Sequence, residues 1–94
     1  MAWSRRKPRD AIGSRLRRVM MERGLTDQFL RGMLARAGFT CSQPYLNRLK
    51  NGHELAFPWT IDYLCTALNF DGPTRLEWHK AAAADYGYDM GVIG

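Results

Sequence analysis

Two cysteines in 94 residues, Cys41 and Cys65, are too few to staple a disulfide scaffold. No run approaches the ~18 consecutive apolar residues of a membrane span. No apolar stretch follows the basic start as a secretory leader requires. No segment alternates as a strand does, and no internal repeat is visible. A phosphate loop and a dinucleotide fingerprint are both missing. His53 and His79 have no third group at a telling spacing, so general-base catalysis has little support. Cys41, His53, Cys65 and His79 also lack the paired spacings of zinc ligands. The expectation is an intracellular protein that is not an enzyme and needs no cofactor or metal.

What the sequence does have is an uneven charge. Residues 1–36 hold ten Lys and Arg against three acids, Asp10, Glu22 and Asp27, a net of +7. Residues 37–94 hold four bases against six acids, a net of −2. A basic front half points to a polyanionic partner, nucleic acid first among them. The bland alternative is a solvated basic tail that serves solubility. The hydrophobic fraction of 46% is ordinary for a globular chain, and the length fits one small domain.

Residues 1–9, MAWSRRKPR, read as a flexible basic arm. A helical pattern begins at Asp10 and places Ile12, Leu16, Val19 and Met20 on one face, until Gly24 stops it. Thr26 is a good N-cap for a second helix reaching Arg36 or Ala37, with Phe29, Leu30, Met33, Leu34 and Ala37 as its apolar stripe. Gly32 weakens that helix by about 1 kcal/mol relative to Ala, which points to a close helix crossing there. After the turn 38–41 comes SQPYLNRLKNG, a third helix over 42–51 with Leu46 and Leu49 inward and Gly52 as a left-handed stop. Pro44 falls in its first turn, where the missing N–H has no intrahelical partner anyway. Ser42 can cap it by accepting from the Tyr45 N–H, but Gln43, which precedes the proline, competes as the cap. A loop over 53–58 leads to a fourth helix, Trp59 to Leu68, with Ile61, Leu64, Cys65 and Leu68 inward. Thr74 can cap a fifth, Arg75 to Asp85. The expected fold is all-α: five short helices in one domain over 10–85, with a glycine-rich, partly apolar tail over 86–94.

Two short helices joined by a tight turn, the second ending in Gly, make a helix-turn-helix arrangement. With GLT at 24–26, SQPYLNRLKNG at 42–52 and IDYLCTALNF at 61–70, residues 10–70 resemble the lambda-repressor-like family, the xenobiotic-response-element type. The Ser-x-Pro-Tyr-Leu run is similar to its mycobacterial secretion-regulator, nucleoid-associated subtype. The interval from Thr26 to Ser42 exceeds the usual family spacing by about one helical turn plus a residue, which leaves the length of the second helix or its turn open. The resemblance implies that the helix over 42–51 reads bases in the major groove through Gln43, Pro44, Asn47 and Arg48. Gln and Asn pair with adenine, and Arg with guanine. It implies phosphate or backbone contacts from Thr26, Ser42, Tyr45, Lys50 and Asn51, and from arm residues Arg5, Arg6, Lys7 and Arg9. Arg15, Arg18 and Arg31 are further clamp candidates. Each has a plainer reading: Lys50 and Asn51 as a solvated helix end, Tyr45 as packing, Asn47 as a bystander and the arm as a basic tail.

The implied function is a sequence-specific double-stranded DNA-binding transcriptional regulator, a small repressor, cytoplasmic and associated with a bacterial nucleoid. The rivals are a protein-binding antitoxin-like or adaptor module on the same fold, and a sequence-indifferent nucleoid protein. A homodimer is expected because one such domain covers little DNA. Leu76, Trp78, Tyr86, Tyr88, Met90, Val92 and Ile93 would supply its interface, or else fold back on the core. No membrane contact and no small-molecule effector is indicated.

Overall fold

The computed structural model describes residues 11–86. They form five α-helices and, among the described residues, no strand: α1 (Ala11–Arg23), α2 (Asp27–Ala37), α3 (Gln43–Lys50), α4 (Pro58–Ala67) and α5 (Gly72–Asp85). Among the described residues no helix is long and apolar enough to cross a membrane. The all-α expectation holds, element for element. Two of the expected starts shift. α5 begins three residues early, because Asp71 and not Thr74 is the cap: Asp71 Oδ1 accepts from the Thr74 N–H at 2.9 Å. α4 begins at Pro58, whose fixed φ suits a first helical position.

α1 packs on α5 and α3, α2 on α4 and α3, and α4 on α5. The core is filled by Ile12, Leu16 and Met20 of α1, Leu30 and Leu34 of α2, Leu46 and Leu49 of α3, and Ile61, Leu64 and Cys65 of α4 with Leu68. Trp78 closes the far end beside the Phe70 ring, 5.2 Å away, and is buried. Each fully buried Leu or Ile contributes about 1.5–3 kcal/mol by leaving water.

Two residues of the expected α2 stripe behave otherwise. Phe29 is 52% exposed, since Leu30 and Leu34 already fill that seam. Gly32 makes no close crossing: a β-carbon there would meet nothing within 4 Å. The close approach is at Gly13, where a β-carbon would stand 2.5 Å from the Lys50 carbonyl oxygen and 2.9 Å from that of Leu49. α1 thus runs against the last turn of α3.

The start of α1 is capped from the other end of the chain. The buried Asp85 carboxylate accepts from the Ala11 N–H at 2.8 Å and the Ile12 N–H at 3.0 Å. Those donors have no partner inside their own helix, and a negative charge at a helix N-terminus is favourable.

Candidate nucleic-acid interface

α3 is eight residues long and is fixed at both ends. Ser42 is extended and its hydroxyl accepts from the Tyr45 N–H at 3.2 Å. Ser42 is therefore the cap, and Gln43 is the first helical residue despite the proline that follows. At the other end Gly52 takes a left-handed φ of 78°, and the His53 N–H returns to the Arg48 carbonyl at 2.9 Å. The Arg17 guanidinium donates to the Lys50 carbonyl.

At 100° per residue, Leu46 and Leu49 bury one side of α3, and Pro44, Asn47, Arg48 and Asn51 share the opposite, exposed ridge. Three of the four expected base readers, Pro44, Asn47 and Arg48, lie on this ridge together with Asn51. Gln43 and Lys50 lie on its flank toward α2, half-buried. Tyr45 lies on the side toward α4, also half-buried, edge-on to Phe39 with ring centroids 6.1 Å apart. Burial pushes its phenol above the usual range. Its ring packs within the fold.

The flank toward α2 is a polar cluster around Asp27. Its Oδ1 accepts from the Lys50 ammonium at 2.6 Å and its Oδ2 from the Gln43 amide at 2.8 Å. The same Gln43 nitrogen donates to Asn47 Oδ1 at 3.1 Å. The Lys50 hydrogen bond, with help from Gln43, holds the Asp27 carboxyl below its usual range against the partial burial that raises it. Lys50, expected at a phosphate, is therefore engaged within the fold. On the other side Arg48 Nε donates to Glu54 Oε1 at 3.1 Å, and its guanidinium lies 6.0 Å from the Tyr45 ring centroid. Its two terminal nitrogens stay available, since the Arg48 side chain is 50% exposed.

Thr26 sits where an N-cap should, its hydroxyl accepting from the Phe29 N–H at 3.1 Å. The α2 N-terminus and the α3 flank of Gln43 and Lys50 meet at Asp27. Arg31 Nε donates to the Cys41 carbonyl at 3.0 Å and pins the turn between the two helices. Cys41 itself is half-buried, and desolvation raises its thiol above the usual range, Arg31 opposing. Arg15 and Arg18 are exposed on α1.

Sequence reasoning missed Asp27, Glu54, Phe57 and Trp59. Phe57 and Trp59 flank Pro58 at the start of α4 and stack on each other, centroids 4.6 Å apart, while remaining 43% and 56% exposed. With Phe39, Tyr45, Arg48 and Thr60 they line a shallow hollow of about 420 Å³ beside the α3 ridge. The Phe-Pro-Trp run was the available signal, two large rings on either side of a helix-starting proline. On the far side of Phe57 a nearly apolar groove of about 470 Å³ runs along Ala82, Ala83 and Tyr86. Of the expected dimer residues, Trp78 is core, Leu76 is exposed and Tyr86 lines this groove. Tyr88, Met90, Val92 and Ile93 lie outside the described residues, as do Arg5, Arg6, Lys7 and Arg9 of the arm. Among the described residues no group of three His, Cys, Asp or Glu is placed to hold a metal ion.

No family model, no curated protein and no solved structure matches the chain.

Proposed function

We propose that the chain is a sequence-specific double-stranded DNA-binding regulator of transcription that lays α3 in the major groove. One observation carries the reading: a short helix capped at both ends, seated on α1 and α2, holds its ridge Pro44, Asn47, Arg48 and Asn51 exposed. The amide and guanidinium groups on this outward ridge are of the kinds that read base edges in the major groove. Arg48 approaches guanine with its two terminal nitrogens, and Asn47 and Asn51 contact a base edge or the adjacent backbone. The N-terminus of α2 at Thr26 meets a phosphate through its unpaired N–H groups. The basic arm tracks the duplex beyond. A homodimer acting as a small repressor in the bacterial cytoplasm completes the proposal.

The test is selection of a random duplex pool at moderate salt, followed by sequencing of what is retained. An enriched palindrome with half-sites about 10 bp apart is the expected result. Retention without enrichment and with a steep salt slope favours the sequence-indifferent nucleoid protein. No retention sinks both and leaves a protein partner, for which the exposed Phe57–Trp59 stack is the first surface to probe.

A further inference from the structure

Where the ridge of α3 meets its flank toward α2, two side-chain amides adjoin, Asn47 on the ridge and Gln43 on the flank. An amide alone has no preferred polarity, since either end can face a base. Here neither amide is alone. Asp27 Oδ2 is a carboxylate oxygen and can only accept, so the Gln43 nitrogen must face it. Asn47 Oδ1 accepts from the same nitrogen, so both Gln43 amide hydrogens are used. Turning the Gln43 amide over would set its oxygen against two acceptors, one of them charged. Asp27 cannot swing away cheaply either, because its other oxygen is held by the Lys50 ammonium at 2.6 Å.

The polarity is thus passed along a line, from carboxylate to Gln43 nitrogen to Asn47 oxygen. It leaves Gln43 Oε1, an acceptor, and Asn47 Nδ2, a donor, without a partner among the described residues. We propose that Asp27 sets this polarity, so that the mouth of α3 takes bases that present an exocyclic amine to Gln43 and rejects those that do not. The proposal rests on the DNA-binding reading above. Adenine fits best, because its N6 amine and N7 acceptor lie side by side and meet Gln43 Oε1 and Asn47 Nδ2 together. Cytosine offers the N4 amine and leaves Asn47 to an acceptor on the next base. Guanine and thymine present only acceptors along their hydrogen-bonding edges in the groove, and the Gln43 oxygen faces them unpaired. Two residues here share the work that one unconstrained glutamine does bidentately. Asp27 touches no base; it is a positioning residue.

The experiment compares the full chain with Asp27→Asn on the duplex enriched by wild type and on its single-base variants at constant salt. Asparagine keeps the shape but offers a donor as well as an acceptor. With its oxygen toward the donor-only Lys50 ammonium, its amide nitrogen faces Gln43 and favours the turned-over amide. Wild type is expected to favour adenine or cytosine over guanine and thymine at one position by about tenfold. Asp27→Asn is expected to admit guanine and thymine there while other positions keep their preferences. Because the variant also removes the negative charge beside Lys50, a uniform rise in affinity is separate from this ratio. An unchanged base ratio in a folded Asp27→Asn protein overturns the proposal and leaves the DNA-binding reading standing. If wild type enriches no duplex at all, the DNA-binding reading itself falls. A second measurement needs only wild type: replacing the preferred base by one lacking its exocyclic amine should weaken binding by about tenfold, and unchanged affinity overturns the proposal.

Discussion

Gly13 lies so close to Lys50 that a β-carbon on it would stand 2.5 Å from the Lys50 carbonyl oxygen. The contact is backbone against backbone, so no side chain can move aside to relieve it. Gly13→Ala should therefore destabilise by about 1–2 kcal/mol net, the overpacking cost of up to about 3 kcal/mol exceeding the roughly 1 kcal/mol that alanine gains in a helix. Gly32→Ala is its control. It meets nothing within 4 Å, and should stabilise by about 0.5–1 kcal/mol. Urea midpoints of the two variants must move in opposite directions.

Asp85 stabilises α1 from across the fold, through the Ala11 and Ile12 N–H groups. Asp85→Ala leaves both donors unpaired in a buried setting and should cost about 1–3 kcal/mol. Asp85→Asn retains one acceptor oxygen and should cost less. Thermal melts of the two variants, with amide hydrogen exchange at Ala11 and Ile12, would measure this; equal stability of wild type and Asp85→Ala would refute the cap.

The Asp27 cluster carries a pH dependence. Hydrogen bonds from Lys50 and Gln43 lower its carboxyl in the folded chain from an ordinary 3.8. A group depressed by folding contributes stability that is fully present above its unfolded value and is lost as pH falls through the folded one. The difference between wild type and Asp27→Asn should be steady from pH ~7 to pH ~5, at about 0.5–1 kcal/mol for a partly exposed pair, and vanish in stronger acid. Urea titrations across that range test it. A difference that grows in acid would mean the sign is wrong.

Arg48 and Arg6 should fail differently on DNA. Arg48→Ala is expected to relax base preference at one position by about 1–3 kcal/mol. Arg6→Ala, in the arm, is expected to weaken all duplexes alike and to lower the salt slope by about 0.9. Competition binding at two salt concentrations separates these outcomes. Unchanged affinity and preference in Arg48→Ala would mean that α3 does not enter the groove.

Reading the elements from sequence worked where apolar spacing and local caps agree. Leu46 and Leu49, the Ser42 hydroxyl and Gly52 all specify α3 within a dozen residues, and the helix forms between them. It failed where the deciding partner is distant in the chain. The need for Gly13 comes from the carbonyl of Lys50, and the cap of α1 comes from Asp85, and neither leaves a trace beside its target. Gly32 and Phe29 misled for the opposite reason: a glycine in a helix and a ring on an apolar stripe both look like packing, but here they face solvent. At the candidate interface the residue types were legible and their commitments were not. Lys50, Gln43 and Arg31 are cations or donors by sequence, and the fold engages each with an internal acceptor.

The link from Asp85 to Ala11 also has a temporal side. A chain made from its N-terminus produces α1 first, yet the carboxylate that satisfies the opening turn of α1 is the last residue of α5. During synthesis the start of α1 stays uncapped until the end of α5 has been made. α1 is completed only once α5 exists, and any truncation that removes residue 85 undoes the start of α1 as well as the end of α5.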